Sequence, residues 1–138
     1  MGFFELATPK DLFQKMESDL AALRKDPSDS YSAFNFFITA EHLPDWLSLK
    51  DLRKQTPLLR VVSHLANGAK HFQLDPRRHT SVDSTSTSTY AEGYASDYFA
   101  EELVIQLTTN EAANFGKPWF EVVELAEKVV DFWRPFIT

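Results

Sequence analysis

A mainly helical domain, four or five helices in a bundle with a small β-hairpin inserted before the last helix, is what this 138-residue chain predicts. Three observations carry that expectation. Four stretches repeat apolar residues at helical spacing, prolines stand at their starts and breaks, and the window from about 79 to 109 loses the helical period for a polar, alternating one. The length suits a single domain, 1–138, and the 12 Phe and 3 Trp supply a core without staples.

Thr8-Pro9-Lys10-Asp11 opens the first helix, with Thr8 as cap, Pro9 in the first helical position and Asp11 in the acid-favoured first turn. Leu12, Phe13, Met16, Leu20 and Leu23 follow at helical spacing, and Asp26-Pro27 marks the end. Ser28-Asp29-Ser30 caps a second helix, apolar nearly all round through Ser32–Leu43, which Pro44 should break or kink. A short charged helix over 48–54 precedes Pro57, where the third long helix begins. On it Leu58, Val62, Leu65, Ala69 and Phe72 form the predicted core stripe, with Arg60, His64, Asn67 and His71 on another side. The run Thr80–Thr89 reads as a loop or a polar edge strand, and Glu102–Thr108 alternates as a strand should. Tyr90, Tyr94 and Tyr98 recur every four residues with no assigned role. Asn110–Gly116 reads as a loop, and Pro118 opens a final helix with an apolar stripe from Trp119 to Trp133.

Composition excludes several functions. With Cys 0 there is no disulfide framework and no thiolate nucleophile or metal ligand. A net charge of −6 disfavours broad nucleic-acid binding, since the overall field repels phosphate. Four glycines, at scattered positions, provide neither common nucleotide-binding loop. The N-terminal MGFFELATPK has no basic stretch before its apolar start, and no apolar run reaches spanning length, so a cytoplasmic protein off the membrane is expected. No cofactor is expected.

Two groups of residues point to chemistry. At about 100° per residue, Asn35, Thr39 and His42 form one polar stripe on a greasy helix, and such groups need partners. Arg60, His64, Asn67, Lys70 and His71 form a face without acidic residues in an acidic protein, suited to a phosphate or carboxylate. Together they predict a polar site between the two helices that binds a small anionic ligand or a protein partner. Pro44 should redirect the backbone so that His42 and Asp45 can pair as an imidazole with an orienting carboxylate; the other reading is a buried His42 satisfied by a neighbouring side chain, with Glu41 and Asp45 solvated. Adding His71 would give a metal site of two His and one carboxylate, a second alternative.

Asn67-Gly68-Ala69-Lys70-His71 resembles the signature helix of HEPN-superfamily proteins, whose motif is an Arg, a polar residue and, some positions later, a His. Asn67 and His71 match the polar residue and the His, while Ala66 stands where the Arg would be. The resemblance covers about one helix. It implies a small helical domain of the prokaryotic toxin, defence and nucleotide-binding systems, in many members a homodimeric, metal-independent RNase. On that alternative His71 would be the acid and base, Asn67 a positioner or phosphate ligand, and Lys70 or Arg60 the stabiliser of phosphate charge. Ala66 in the Arg position implies an inactive or binding-only relative. FNFFITAEHLPDWL and NGAKHF are also similar to stretches in a group of uncharacterised bacterial proteins, a likeness over more of the chain that brings no activity.

Overall fold

Thr8 starts α1 (Pro9–Lys25) with a reciprocal capping box: its hydroxyl accepts from the Asp11 amide at 3.1 Å, and the Asp11 carboxylate accepts from the Thr8 amide at 3.0 Å. The computed structural model describes residues 4–70, 81–91 and 99–137, and within them the architecture is mainly helical with a small antiparallel sheet. The buried face of α1 is Leu12, Phe13, Met16, Leu20 and Leu23, as its spacing predicts.

The second helix, α2 (Ser30–Trp46), is capped by Asp29, whose carboxylate accepts from the Tyr31 amide. It does not break at Pro44 but continues for two more residues. Proline brings no N–H, so a carbonyl one turn earlier loses its helical donor. That carbonyl is Ala40's; the helix continues with the proline ring buried in the core, and one residue on the Arg53 guanidinium donates to the Glu41 carbonyl. The helix ends in a Schellman turn: Leu49 N–H donates to the Pro44 carbonyl at 2.7 Å and Ser48 N–H to the Asp45 carbonyl at 3.1 Å. Ser48 holds the left-handed position, at φ 59°.

The short α3 (Leu52–Gln55) leads into α4 (Pro57–Lys70). The buried residues of α4 are Leu59, Val61, Val62 and Ala66, with Leu58 and Leu65 only partly buried against the core. That corrects the predicted stripe, whose members Ala69 and Phe72 have no described side chains. The physical reason is that α4 packs against α2 on one side and against β1 and α5 on another, which widens its buried arc.

Strands β1 (Val82–Ala91) and β2 (Phe99–Leu107) form the predicted hairpin, in register from Val82 opposite Leu107 to Ala91 opposite Phe99. From Val82 on, the Ser/Thr run is therefore a strand. Its place at the edge of the sheet, in the order β1-β2-β3, suits side chains that gain little from burial. Two segments differ from expectation. Residues Thr109–Phe115 form a helix, α5, capped by Thr108 and closed by Gly116 at φ 75°, where a loop was expected. Trp119–Glu121 is a third strand, β3, with Phe120 opposite Ile105, so the last helix, α6 (Val122–Trp133), starts four residues after Pro118 instead of at it. A 3-10 turn, Arg134–Phe136, follows.

Helices α1, α2, α4 and α6 and the inner face of the sheet share one core, in which Met16, Leu23, Phe36, Leu43, Leu125 and Trp133 are fully buried. Each such side chain stabilises the fold by roughly 1.5–3 kcal/mol relative to exposure. Among the described residues, no helix is long and apolar enough to cross a membrane.

Candidate functional site

Ser81, 4% exposed, ties α4 and α5 to the root of the hairpin. Its hydroxyl donates to Glu111 Oε2 at 2.6 Å, its amide donates to His64 Nδ1 at 3.2 Å, and its carbonyl accepts from the Thr108 amide at 3.1 Å. The neighbouring Val82 amide also donates to His64 Nδ1, at 3.0 Å.

Glu111 is the anchor of this network and is itself buried. Arg60 grips it in a fork, Nη2 to Oε1 at 2.9 Å and Nε to Oε2 at 3.1 Å, and Asn114 Nδ2 adds a bond to Oε1 at 2.8 Å. Burial pushes the Glu111 carboxyl up. The hydrogen bonds from Arg60, Ser81 and Asn114, with the charge of Arg60, outweigh that and hold it below the ordinary glutamate range. Arg60 donates also to the Lys54 carbonyl, which fixes the start of α4. The arrangement is no nucleophilic triad. The Ser81 hydroxyl faces the carboxylate instead of the imidazole, and the side chain is shut away from substrate.

A second network joins α2, α3 and α4. Arg53 donates to Glu41 Oε1 at 2.8 Å and to both Asp45 oxygens at 3.1 and 2.8 Å. Asn67 Nδ2 points to the Ser63 carbonyl at 2.8 Å and to Glu41 Oε2 at 3.3 Å. Asp45 is held below the ordinary aspartate range, first by the hydrogen bonds from Arg53. Arg53, despite burial that disfavours its charge, is held above its ordinary value by these two carboxylates.

The structure distributes the predicted site residues over separate environments. Thr39 faces α1: its hydroxyl lies 2.7 Å from Asp19 Oδ2 and 2.8 Å from the Asn35 carbonyl, and it accepts from Lys15 Nζ at 2.9 Å. The Asn35 and His42 side chains are exposed. Among the described residues the α2 stripe does not converge on α4: Thr39 finds its partners on α1. Asp45 is bound first by Arg53, with the charge of His42 a smaller influence on it, and Glu41 is the buried carboxylate of the α2–α4 contact. Arg60 and His64 do share a network, and Asn67 belongs to the other. His71 and the Lys70 side chain lie outside the described residues. Among the described residues, no three His, Asp or Glu side chains are placed to hold a metal ion.

Beside His64 opens a groove of about 410 Å³ between the sheet and helices α2 and α4. Ala33, Phe34 and Phe37 line it from α2, His64, Leu65 and Gly68 from α4, Val82–Thr85 from β1, and Leu103, Ile105 and Val122 complete it. Sequence reasoning missed Glu111 and Ser81. For Glu111 a signal existed: Thr108 three residues before it is the spacing of a helix cap, and Gly116 is a usual stop. For Ser81, one of many serines and threonines in its stretch, none did.

Comparison with known proteins gives no match to a family model, a curated protein or a solved structure.

Proposed function

We propose that this chain is a non-catalytic helical binding domain that takes a small, predominantly apolar molecule in the groove between the sheet and helices α2 and α4. The groove is the observation that carries the reading. Its volume of about 410 Å³ falls in the range of ligand sites, roughly 300–1,000 Å³, and aromatic and aliphatic side chains make up much of its wall with a few polar groups among them. An anionic ligand is less well supported. Arg60, a cation of the predicted polar face, and Arg53 beside Asn67's network are already held by Glu111 and by Glu41 and Asp45. A phosphate would have to displace a carboxylate from either one.

The same argument weakens RNA cleavage by a HEPN-like site, since the Asn67 amide is engaged by Ser63 and Glu41. Incubating RNA with the protein and with His71→Ala checks that alternative, which requires cleavage by the first and none by the second.

Titration with the neutral, apolar fluorophore N-phenyl-1-naphthylamine tests the groove. Saturable binding is expected, and it should be abolished by Ala33→Trp and by Thr85→Trp, each of which places an indole in the cavity from a different wall. Unsaturable fluorescence with the wild-type protein, or equal binding by both correctly folded variants, overturns the reading.

A further inference from the structure

We infer that His64 is a proton-operated latch on the root of the hairpin, and through it on the groove. The ligand consequence rests on the proposed binding reading, whereas the latch itself rests on hydrogen-bond geometry alone.

Nδ1 of His64 lies 3.2 Å from the Ser81 amide and 3.0 Å from the Val82 amide. A backbone N–H can only donate, so Nδ1 must be the unprotonated nitrogen and the ring proton must sit on Nε2. The folded arrangement therefore requires a neutral imidazole in one tautomer. A proton taken from solvent would enter at Nδ1 and turn this acceptor into a donor facing two donors. Both amides would lose their partner, and the ring would have to swing away or the strand start would have to lift.

Those two amides stand at the point where α4 meets β1. Ser81 is buried, and the strand has a register irregularity between Val82 and Ser84, immediately after the latch. His64 and Val82 both line the groove, so the ring that fastens the strand is also part of the wall. Release there alters the cavity directly.

The charged groups around the ring, among the described residues, do not offer a replacement switch near neutrality. On α4, Arg60 stands one turn away and is fixed on Glu111 of α5, which reaches the same serine. Asp83 of β1 lines the groove, and α2 contributes Ser30, Ala33, Phe34 and Phe37 to it without a charge. Carboxylates and guanidinium groups change charge far from pH 6–7, whereas an imidazole ordinarily does so near 6.5. Asp83 would favour an imidazolium by its charge but cannot restore an acceptor to the amides. The sign follows: the hold is complete above the ordinary imidazole range and weakens progressively as pH falls below it.

The test is amide hydrogen exchange resolved at Ser81 and Val82 on the full chain between pH 5.5 and 7.5, expressed as protection so that the intrinsic pH dependence of exchange is removed. Protection at both amides should drop severalfold, up to about tenfold, at pH 5.5, the limit set by proton uptake on a released imidazole whose ordinary value is near 6.5. His64→Asn, whose side-chain oxygen sits near the place of Nδ1 and does not titrate, should keep protection flat across the range. His42→Asn should leave the wild-type step intact. A step that persists in His64→Asn, or protection that is unchanged in the wild type, overturns the latch. Parallel N-phenyl-1-naphthylamine titrations separate the two ideas: absence of probe binding at every pH defeats the groove reading while the exchange data still decide the latch.

Discussion

Arg60 and Glu111 meet side on, Nη2 to Oε1 at 2.9 Å and Nε to Oε2 at 3.1 Å, and so fasten α4 to α5 across 51 positions of the chain. The carboxylate is the buried partner, with 6% of its side chain exposed against 34% for the arginine. Breaking such a pair from the arginine side leaves an uncompensated charge in the protein interior. Arg60→Met should therefore cost about 2–3 kcal/mol of unfolding free energy, measured by urea denaturation at pH 7, the arginine's partial exposure keeping it at the low end for buried pairs. Glu111→Gln, which keeps the shape but loses the charge, should cost less.

The same pair sets a dependence on acid. The folded Glu111 carboxyl sits below its ordinary value of 4.5, so its stabilisation is fully present above that value and is lost as pH falls below it. A series of urea midpoints from pH 6 down to pH 3 should show the wild type losing more stability than Glu111→Gln. Parallel curves for the two proteins would contradict the placement.

Glu102 on β2 and Glu121 on β3 predict an effect of opposite sign. Burial first, and then the charge and hydrogen bond of Glu121, push the Glu102 carboxyl above its ordinary value of 4.5. A raised value means that stability is complete below the ordinary value and declines as pH rises through the raised one, leaving a penalty at neutrality. Glu102→Gln should stabilise the protein at pH 7 by a few tenths to about 1 kcal/mol, the size of a cross-strand pair, and the gain should vanish near pH 4. Thermal melts at the two pH values check both parts.

Ser48 occupies the left-handed position of the α2 terminus at φ 59°. Glycine reaches that conformation without the Cβ penalty of an L residue. Ser48→Gly is expected to stabilise by about 0.5–1 kcal/mol, visible as a higher thermal midpoint, and Gly116→Ala at φ 75° should lose a similar amount. A Ser48→Gly protein that melts lower than wild type would contradict the Schellman assignment.

Arg53 satisfies Glu41, Asp45 and a backbone carbonyl with three of its nitrogens. Lysine keeps the charge but offers one nitrogen on a flexible stem and cannot span all three. Arg53→Lys should cost about 1–2 kcal/mol in denaturant titration at pH 7, the loss of one or two net hydrogen bonds to charged groups. No loss would show that the network is dispensable.

What the sequence determined by itself is local or periodic. The Thr8 cap, the apolar faces of α1 and α6, the hairpin and the edge character of the Ser/Thr run are written in neighbouring residues, because capping, amphipathic spacing and strand alternation act over a few positions. Continuation of α2 past Pro44 was not legible, since the proline is held in the core and the carboxylates beside it are tied by Arg53, contacts from residues distant in the chain. Nor was the fate of the polar residues. Thr39 could equally have faced α4, and only the packing of α1 against α2 turned it to Asp19 and Lys15. Arg60 and His64 looked like an open cationic face because their partners, Glu111 and the Ser81 and Val82 amides, lie in segments brought close only when the hairpin and α5 dock. Periodicity tells which side of a helix is polar, but the identity of what meets that side is a property of tertiary contact, and there the balance of desolvation and pairing is decided.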